Sequence, residues 1–214
     1  MRLDEVADLL SAAPWFDLAT VVQLIGEPRR DVVNQLYRWS RAGKLIPLRR
    51  GMYALADRYR RAPVPRAALA NALCFPSYLS GPWALGFYGL IPEAVPVYTS
   101  VTTRGPAHFE NAFGMFRYTA IKRSMFFGYQ SVPVAGSEAL VATAEKALLD
   151  LFHLHPGEWD RRRMTEMRFQ QTEVVDHDRL RAFAHRIGKP RIGRAVDAWL
   201  ACSSAEQEAD GVEL

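Results

Sequence analysis

Cysteine is scarce in this chain, with Cys74 and Cys202 standing alone among 214 residues. Two thiols without metal-ligand spacing build neither a disulfide framework nor a zinc ribbon, and such usage suits a reducing compartment. Long apolar runs are missing as well. None approaches the roughly 18–20 residues that span a bilayer, so a membrane partner is not expected. The glycine-rich phosphate loop and the Gly-x-Ser-x-Gly elbow, two local signatures of phosphate and acyl chemistry, are also absent. The opening Met1-Arg2-Leu3-Asp4-Glu5 mixes acids with apolar residues and reads as neither a secretory signal nor a transit peptide. A cytoplasmic chain without metal or cofactor is the default expectation, and its 49% hydrophobic content suffices for one large or two small domains.

What is present is positive charge, and it is concentrated at one end. Residues 1–61 carry 11 Lys+Arg against 7 Asp+Glu, whereas residues 62–214 carry 16 against 16, so the net charge of +4 sits in the first segment. Between Gly26 and Arg66 the imbalance reaches 11 basic to 3 acidic residues. Such a local excess attracts nucleic-acid phosphates and displaces their counterions, although a merely solvated basic face has the same composition.

Local signals organise this segment. Leu3, Val6, Ala7, Leu9 and Leu10 recur at helical spacing before Pro14, and Asp17 caps a second helix from Leu18 to Ile25. Gly26-Glu27-Pro28 then turns the chain into a third helix ending near Arg41. Its apolar positions are Val32, Val33, Leu36, Tyr37 and Trp39, and its polar stripe holds Arg30, Asn34, Arg38 and Arg41, with Gln35 at the edge. Arginine can bond the guanine edge bidentately, and Asn or Gln the adenine edge, in a groove that admits a helix. Two strands across Leu45–Leu55 flank Arg49-Arg50-Gly51, where glycine gives the turn its backbone freedom and the arginines can reach phosphates or a minor groove. This succession predicts a winged helix-turn-helix over residues 1–61. Its DNA-binding residues are Arg29, Arg30, Asn34, Gln35, Arg38, Arg41, Lys44, Arg49 and Arg50, and double-stranded DNA is the expected partner.

Asp57–Pro65 is polar, basic and proline-broken, which reads as a linker whose arginines are either solvated or in contact with phosphates. Residues 62–202 read as an α+β domain. Helices are expected near Ala67–Leu73 and Pro82–Tyr88 and from Thr143 onward, with strands near Val97–Thr103, Met115–Ile121 and Phe127–Val134 in a small mixed or antiparallel sheet. Thr143 reads as a helix cap with Glu145 in the first turn, and Ser80 likewise as a cap. Leu180, Phe183, Ala184, Ile187, Val196, Trp199 and Leu200 lie on amphipathic C-terminal helices that close the core or, alternatively, form a dimer seam. Residues 203–214, acidic and rich in small residues, read as a disordered tail.

Catalysis is not expected. A metal-dependent nuclease needs carboxylates converging beside a lysine, but Glu145 and Asp150 diverge by about 140° around a helix although Lys146 lies between them. His153 and His155 suit a helix C-terminus better than a metal. The basic clusters Arg161-Arg162-Arg163 with Arg168, and Lys189, Arg191 and Arg194, are interleaved with acids and read as solvated helix faces, the alternative being contacts to DNA or an acidic partner.

Several short motifs occur in order: Leu48-Arg49-Arg50-Gly51-Met52-Tyr53-Ala54, Tyr78-Leu79-Ser80, Tyr88-Gly89-Leu90-Ile91-Pro92, Val101-Thr102-Thr103-Arg104, Phe126-Phe127-Gly128-Tyr129 and Ala144-Glu145-Lys146-Ala147-Leu148-Leu149-Asp150. From about Leu18 to about Phe152 the chain resembles the AbiEi antitoxin family of bacterial abortive-infection systems, which are type IV toxin-antitoxin operons. The resemblance implies an autoregulating repressor that binds inverted repeats upstream of its own operon, with a second domain that counters a nucleotidyltransferase-like toxin. A free-standing winged-helix regulator with a protein-interaction domain and a metal-dependent nuclease are the competing readings.

Overall fold

The computed structural model describes the backbone of residues 2–210 and side chains up to Ser203. The chain is mixed α+β, with a three-stranded antiparallel sheet and a six-stranded mixed sheet. The first part runs α1 (Leu3–Leu10), β1 (Phe16–Asp17), α2 (Leu18–Ile25), α3 (Arg29–Arg41), β2 (Leu45–Arg49) and β3 (Met52–Leu55). Local chemistry accounts for each boundary. The Asp17 carboxylate accepts the Thr20 N–H at 2.8 Å and the Thr20 hydroxyl at 2.9 Å, bonds that hold its carboxyl below the usual carboxylate value. Gly26 ends α2 in the left-handed region at φ 71°, and Pro28 accepts the Val32 N–H at 3.2 Å at the start of α3.

The β2–β3 hairpin is apolar on both faces, and each face has its own destination. Leu45, Tyr53 and Leu55 join Val6, Val21, Val32, Leu36 and Trp39 in a core between the helices. Ile46, Leu48, Met52 and Ala54 join a second core built by the rest of the chain. Pairing shifts between Pro47 and Arg49, so Leu48 bulges out of register. Strand alternation puts its side chain with Ile46 in the second core, and its carbonyl accepts from the Asn111 amide at 3.1 Å. The expected linker is likewise tied down. Asp57–Tyr59 forms one 3-10 turn, Arg60 bonds the Leu55 carbonyl at 2.8 Å and lies over the Phe113 ring, and the Arg61 N–H bonds Ser11 at 2.8 Å. The Arg60 side chain and the Arg61 N–H thus find carbonyls of the first part, while the Arg58 and Arg61 side chains are exposed.

The second part comprises α4 (Arg66–Leu73), β4 (Ser77–Leu79), α5 (Pro82–Phe87), β5 (Val97–Thr102), β6 (Ala107–Asn111), β7 (Gly114–Ala120), β8 (Tyr129–Val134), β9 (Ser137–Ala142) and α6 (Ala144–Leu154). It closes with α7 (Arg161–Met167), α8 (His177–Ile187) and α9 (Pro190–Asp210). The sheet order is β6-β7-β5-β4-β9-β8, with β5–β7 and β4–β9 parallel and the other pairs antiparallel. Both faces are covered. Tyr118 donates to the Ala70 carbonyl of α4 at 2.6 Å on one side, and Tyr78 reaches Asp150 of α6 on the other. The expected strands near residues 97–103, 115–121 and 127–134 correspond to β5, β7 and β8, while β4, β6 and β9 had no reading in the sequence. Helix α9 continues to Asp210 through most of the stretch expected as a disordered tail, and residues 211–214 lie outside the described residues. No helix among the described residues is long and apolar enough to cross a membrane.

Candidate nucleic-acid interface

Helix α3 is built from its buried side. Val32, Leu36 and Trp39 are at most 5% exposed and fix the rotation of the helix against α1, α2 and the hairpin. Everything opposite must then face outward. Arg29, Arg30, Asn34, Arg38 and Arg41 are exposed and Gln35 is half-buried. Val33 and Tyr37, assigned to the apolar face from the sequence, correct that assignment, being 42% and 65% exposed. The angular reason is plain: they sit about 100° and 140° around the helix from Val32, inside the arc that holds the arginines. The outer surface of α3 is therefore cationic with one aliphatic and one aromatic contact, a composition suited to base edges and thymine methyls.

Beyond α3, Lys44 is half-buried, with its N–H bonded to Trp39 at 2.9 Å, and Arg49 and Arg50 are exposed where the hairpin turns. Gly51 makes that turn at φ 73°, and its carbonyl accepts the Leu18 N–H at 2.9 Å, which anchors the turn to the start of α2. Among the described residues, none of these basic side chains is engaged in an ion pair. Exposed arginines outside ion pairs have donors to offer a ligand, although Arg49 places one on the Arg50 carbonyl at 3.4 Å.

The Glu145-Lys146-Asp150 motif goes to the opposite environment. Lys146 and Asp150 are fully buried and paired along α6. The second Asp150 oxygen accepts from Ser80 at 2.7 Å and Tyr78 at 3.2 Å, so both carboxylate oxygens are occupied. Ser80 is consequently a partner of Asp150 and not a helix cap, and Gly81 takes the capping position of α5. The Lys146 ammonium also lies 5.6 Å from the Tyr78 ring and 5.4 Å from that of Phe127. Burial pulls its pKa down and Asp150 opposes that pull, while burial and then Asp150 push the Tyr78 phenol up. Gly128, at φ 72°, lies over the lysine stem, and a Cβ there would come within 2.9 Å of Phe183 and 3.1 Å of Lys146. Glu145 points elsewhere, accepting the Asp176 N–H at 2.9 Å and pairing with Arg179 at 3.7 Å. Thr143 caps α6 as expected.

The C-terminal basic clusters are mostly consumed internally. Arg162 pairs with Glu166, Arg168 with Glu93 and Arg194 with Glu158. Arg163 bonds the Pro156 and Glu158 carbonyls and lies 3.9 Å over Trp159, and Arg191 bonds the carbonyls of His153, His155 and Gly157. His153 meets Lys189 at 3.3 Å, and burial with that neighbour holds its pKa below the usual 6.5. Among the described residues, no three His, Cys, Asp or Glu side chains gather as a metal site. No protein-family model matches this chain, and no curated protein matches it significantly.

Proposed function

We propose that residues 1–61 act as a winged helix-turn-helix and that the protein is a cytoplasmic, sequence-specific DNA-binding repressor of transcription. The observation that carries this reading is the cationic surface of α3 and the hairpin turn, where Arg29, Arg30, Arg38, Arg41, Arg49 and Arg50 are exposed without ion-pair partners among the described residues. In this reading Arg30, Asn34, Gln35 and Arg38 enter the major groove with Val33 and Tyr37 beside them, Arg29, Arg41 and Lys44 hold phosphates, and Arg49 and Arg50 reach the flanking backbone or minor groove. Two half-sites in an inverted repeat, taken by a dimer or by two cooperating monomers, would supply the specificity one module lacks.

The resemblance of residues 18–152 to the AbiEi family makes the autoregulating antitoxin of a type IV toxin-antitoxin operon the specific form of this proposal. The functional link to a nucleotidyltransferase-like toxin rests on that resemblance alone. A catalytic role for the second part is not proposed, because every oxygen of Asp150 and the charge of Lys146 are engaged out of reach of solvent.

Fluorescence anisotropy of the full chain on its own upstream region and on a scrambled duplex, each over a salt series, tests the reading. The repressor should prefer the upstream region by about 10³-fold or more, with log affinity falling linearly with log salt in proportion to the phosphates neutralised. Equal, weak binding to both duplexes would overturn it.

A further inference from the structure

Where the hairpin meets the second part of the chain, Arg49, Arg50 and Arg104 line one cleft of about 440 Å³, whose apolar lining includes Leu73, Phe75 and Phe109. Among the described residues no carboxylate lines it and none of the three arginines is in an ion pair. Phe75 is 68% exposed, the most exposed large hydrophobic residue among the described residues. Three guanidinium groups outside any ion pair among the described residues, beside an exposed aromatic ring, suit a ligand that carries both an anion and a flat apolar body. The volume lies within the roughly 300–1,000 Å³ of small-molecule sites.

The walls are also fixed before any ligand arrives. The buried Thr102 hydroxyl donates to the Pro76 carbonyl at 2.7 Å and accepts the Arg104 N–H at 3.1 Å, which holds the Arg104 loop to the turn bearing Phe75. Across the cleft, the Asn111 amide bonds the Leu48 carbonyl at 3.1 Å and so pins the strand bearing Arg49 to β6. A cleft whose two sides are tied at both ends spends little ordering entropy on binding.

We propose that this cleft binds a small phosphorylated ring compound of the mononucleotide class, with the phosphate on Arg49, Arg50 and Arg104 and the ring against Phe75. Because Arg49 and Arg50 belong to the surface assigned above to DNA, the occupant displaces the duplex and acts as an inducer; this consequence, though not the binding itself, rests on the proposed DNA-binding function.

Calorimetric titration of the full chain with AMP, GMP, CMP and UMP, with inorganic phosphate and adenosine as half-ligands, provides the test. At least one mononucleotide should bind with a Kd below about 1 mM, about tenfold or more tighter than either half-ligand. Arg104→Ala and Phe75→Ala should each weaken that binding by about tenfold, and Phe75→Ala, uncharged and at an exposed position, should leave duplex affinity unchanged. A saturating nucleotide should release bound duplex. Failure of every mononucleotide to saturate overturns the proposal, as does equal binding of phosphate alone, which would mark adventitious anion capture. Loss of duplex affinity in Arg104→Ala without any nucleotide binding would overturn it in favour of a duplex phosphate contact. Nucleotide binding by a chain that holds no duplex would leave the site standing and remove the repressor reading instead.

Discussion

Between Arg29 and Arg50 the exposed arginines stand without ion-pair partners among the described residues, whereas Arg162, Arg163, Arg168, Arg179, Arg191 and Arg194 each hold a carboxylate or a backbone carbonyl of their own chain. The residue type is the same, yet the first group offers its donors outward, apart from the 3.4 Å bond of Arg49 to the Arg50 carbonyl, and the second uses them on its own helices and loops. Net charge per segment anticipates this contrast, since acids accompany the second group and not the first. It is compensation, rather than the number of arginines, that marks an interface.

The sharpest way to break the contrast is at the buried extreme. Asp150→Ala would leave Lys146 without its counter-ion in the core and should cost about 3–5 kcal/mol in urea unfolding, while the paired change Lys146→Met with Asp150→Leu should recover only part of that loss, because Ser80 and Tyr78 still lack their acceptor. A variant of Asp150 alone that kept full stability would deny the pair its architectural role. At the exposed extreme, Arg38→Ala should leave the unfolding midpoint in place but weaken binding to the preferred duplex by about 1–3 kcal/mol, with less effect on a scrambled one if Arg38 reads a base. Arg194→Gln makes the complementary comparison and should change neither duplex affinity nor salt slope.

The smallest effect is a pH dependence. His153 titrates below its usual 6.5 in the folded chain because burial and Lys189 disfavour its charged form. The unfolded chain therefore binds the proton first as pH falls, so this contribution to stability is fully present above 6.5 and is lost on acidification through the window below it. The thermal midpoint should fall less between about pH 7.5 and 5.5 in His153→Gln than in the wild type.

How legible the sequence was depends on how local each signal is. Helices α1, α2 and α3, the hairpin and the Thr143 cap are written in spacing, capping residues and a turn glycine, all readable within a few residues. Strand β4 has three residues and acquires meaning only by pairing with β5 and with the distant β9, and β6 carries charged and amide residues that its length cannot outweigh. The outward positions of Val33 and Tyr37 depended on which side of α3 the core selected, and Trp39 decided that. The pairing of Lys146 with Asp150 was readable as an i,i+4 spacing, but its burial under Gly128 and Phe127 was not, because those residues lie on another element. Arg104 was read only as part of a short motif and Phe75 not at all, since only the folded chain brings them into one cleft with Arg49.

The second apolar face of the hairpin has a practical corollary for anyone wishing to transplant the first six elements into another protein. A chain severed after residue 61 would retain its helices and its own core, but Ile46, Leu48, Met52 and Ala54 would be left as a bare, greasy strip along a hairpin. That strip invites self-association. The basic module is thus not a portable cassette: its solubility is on loan from the neighbour it leans against.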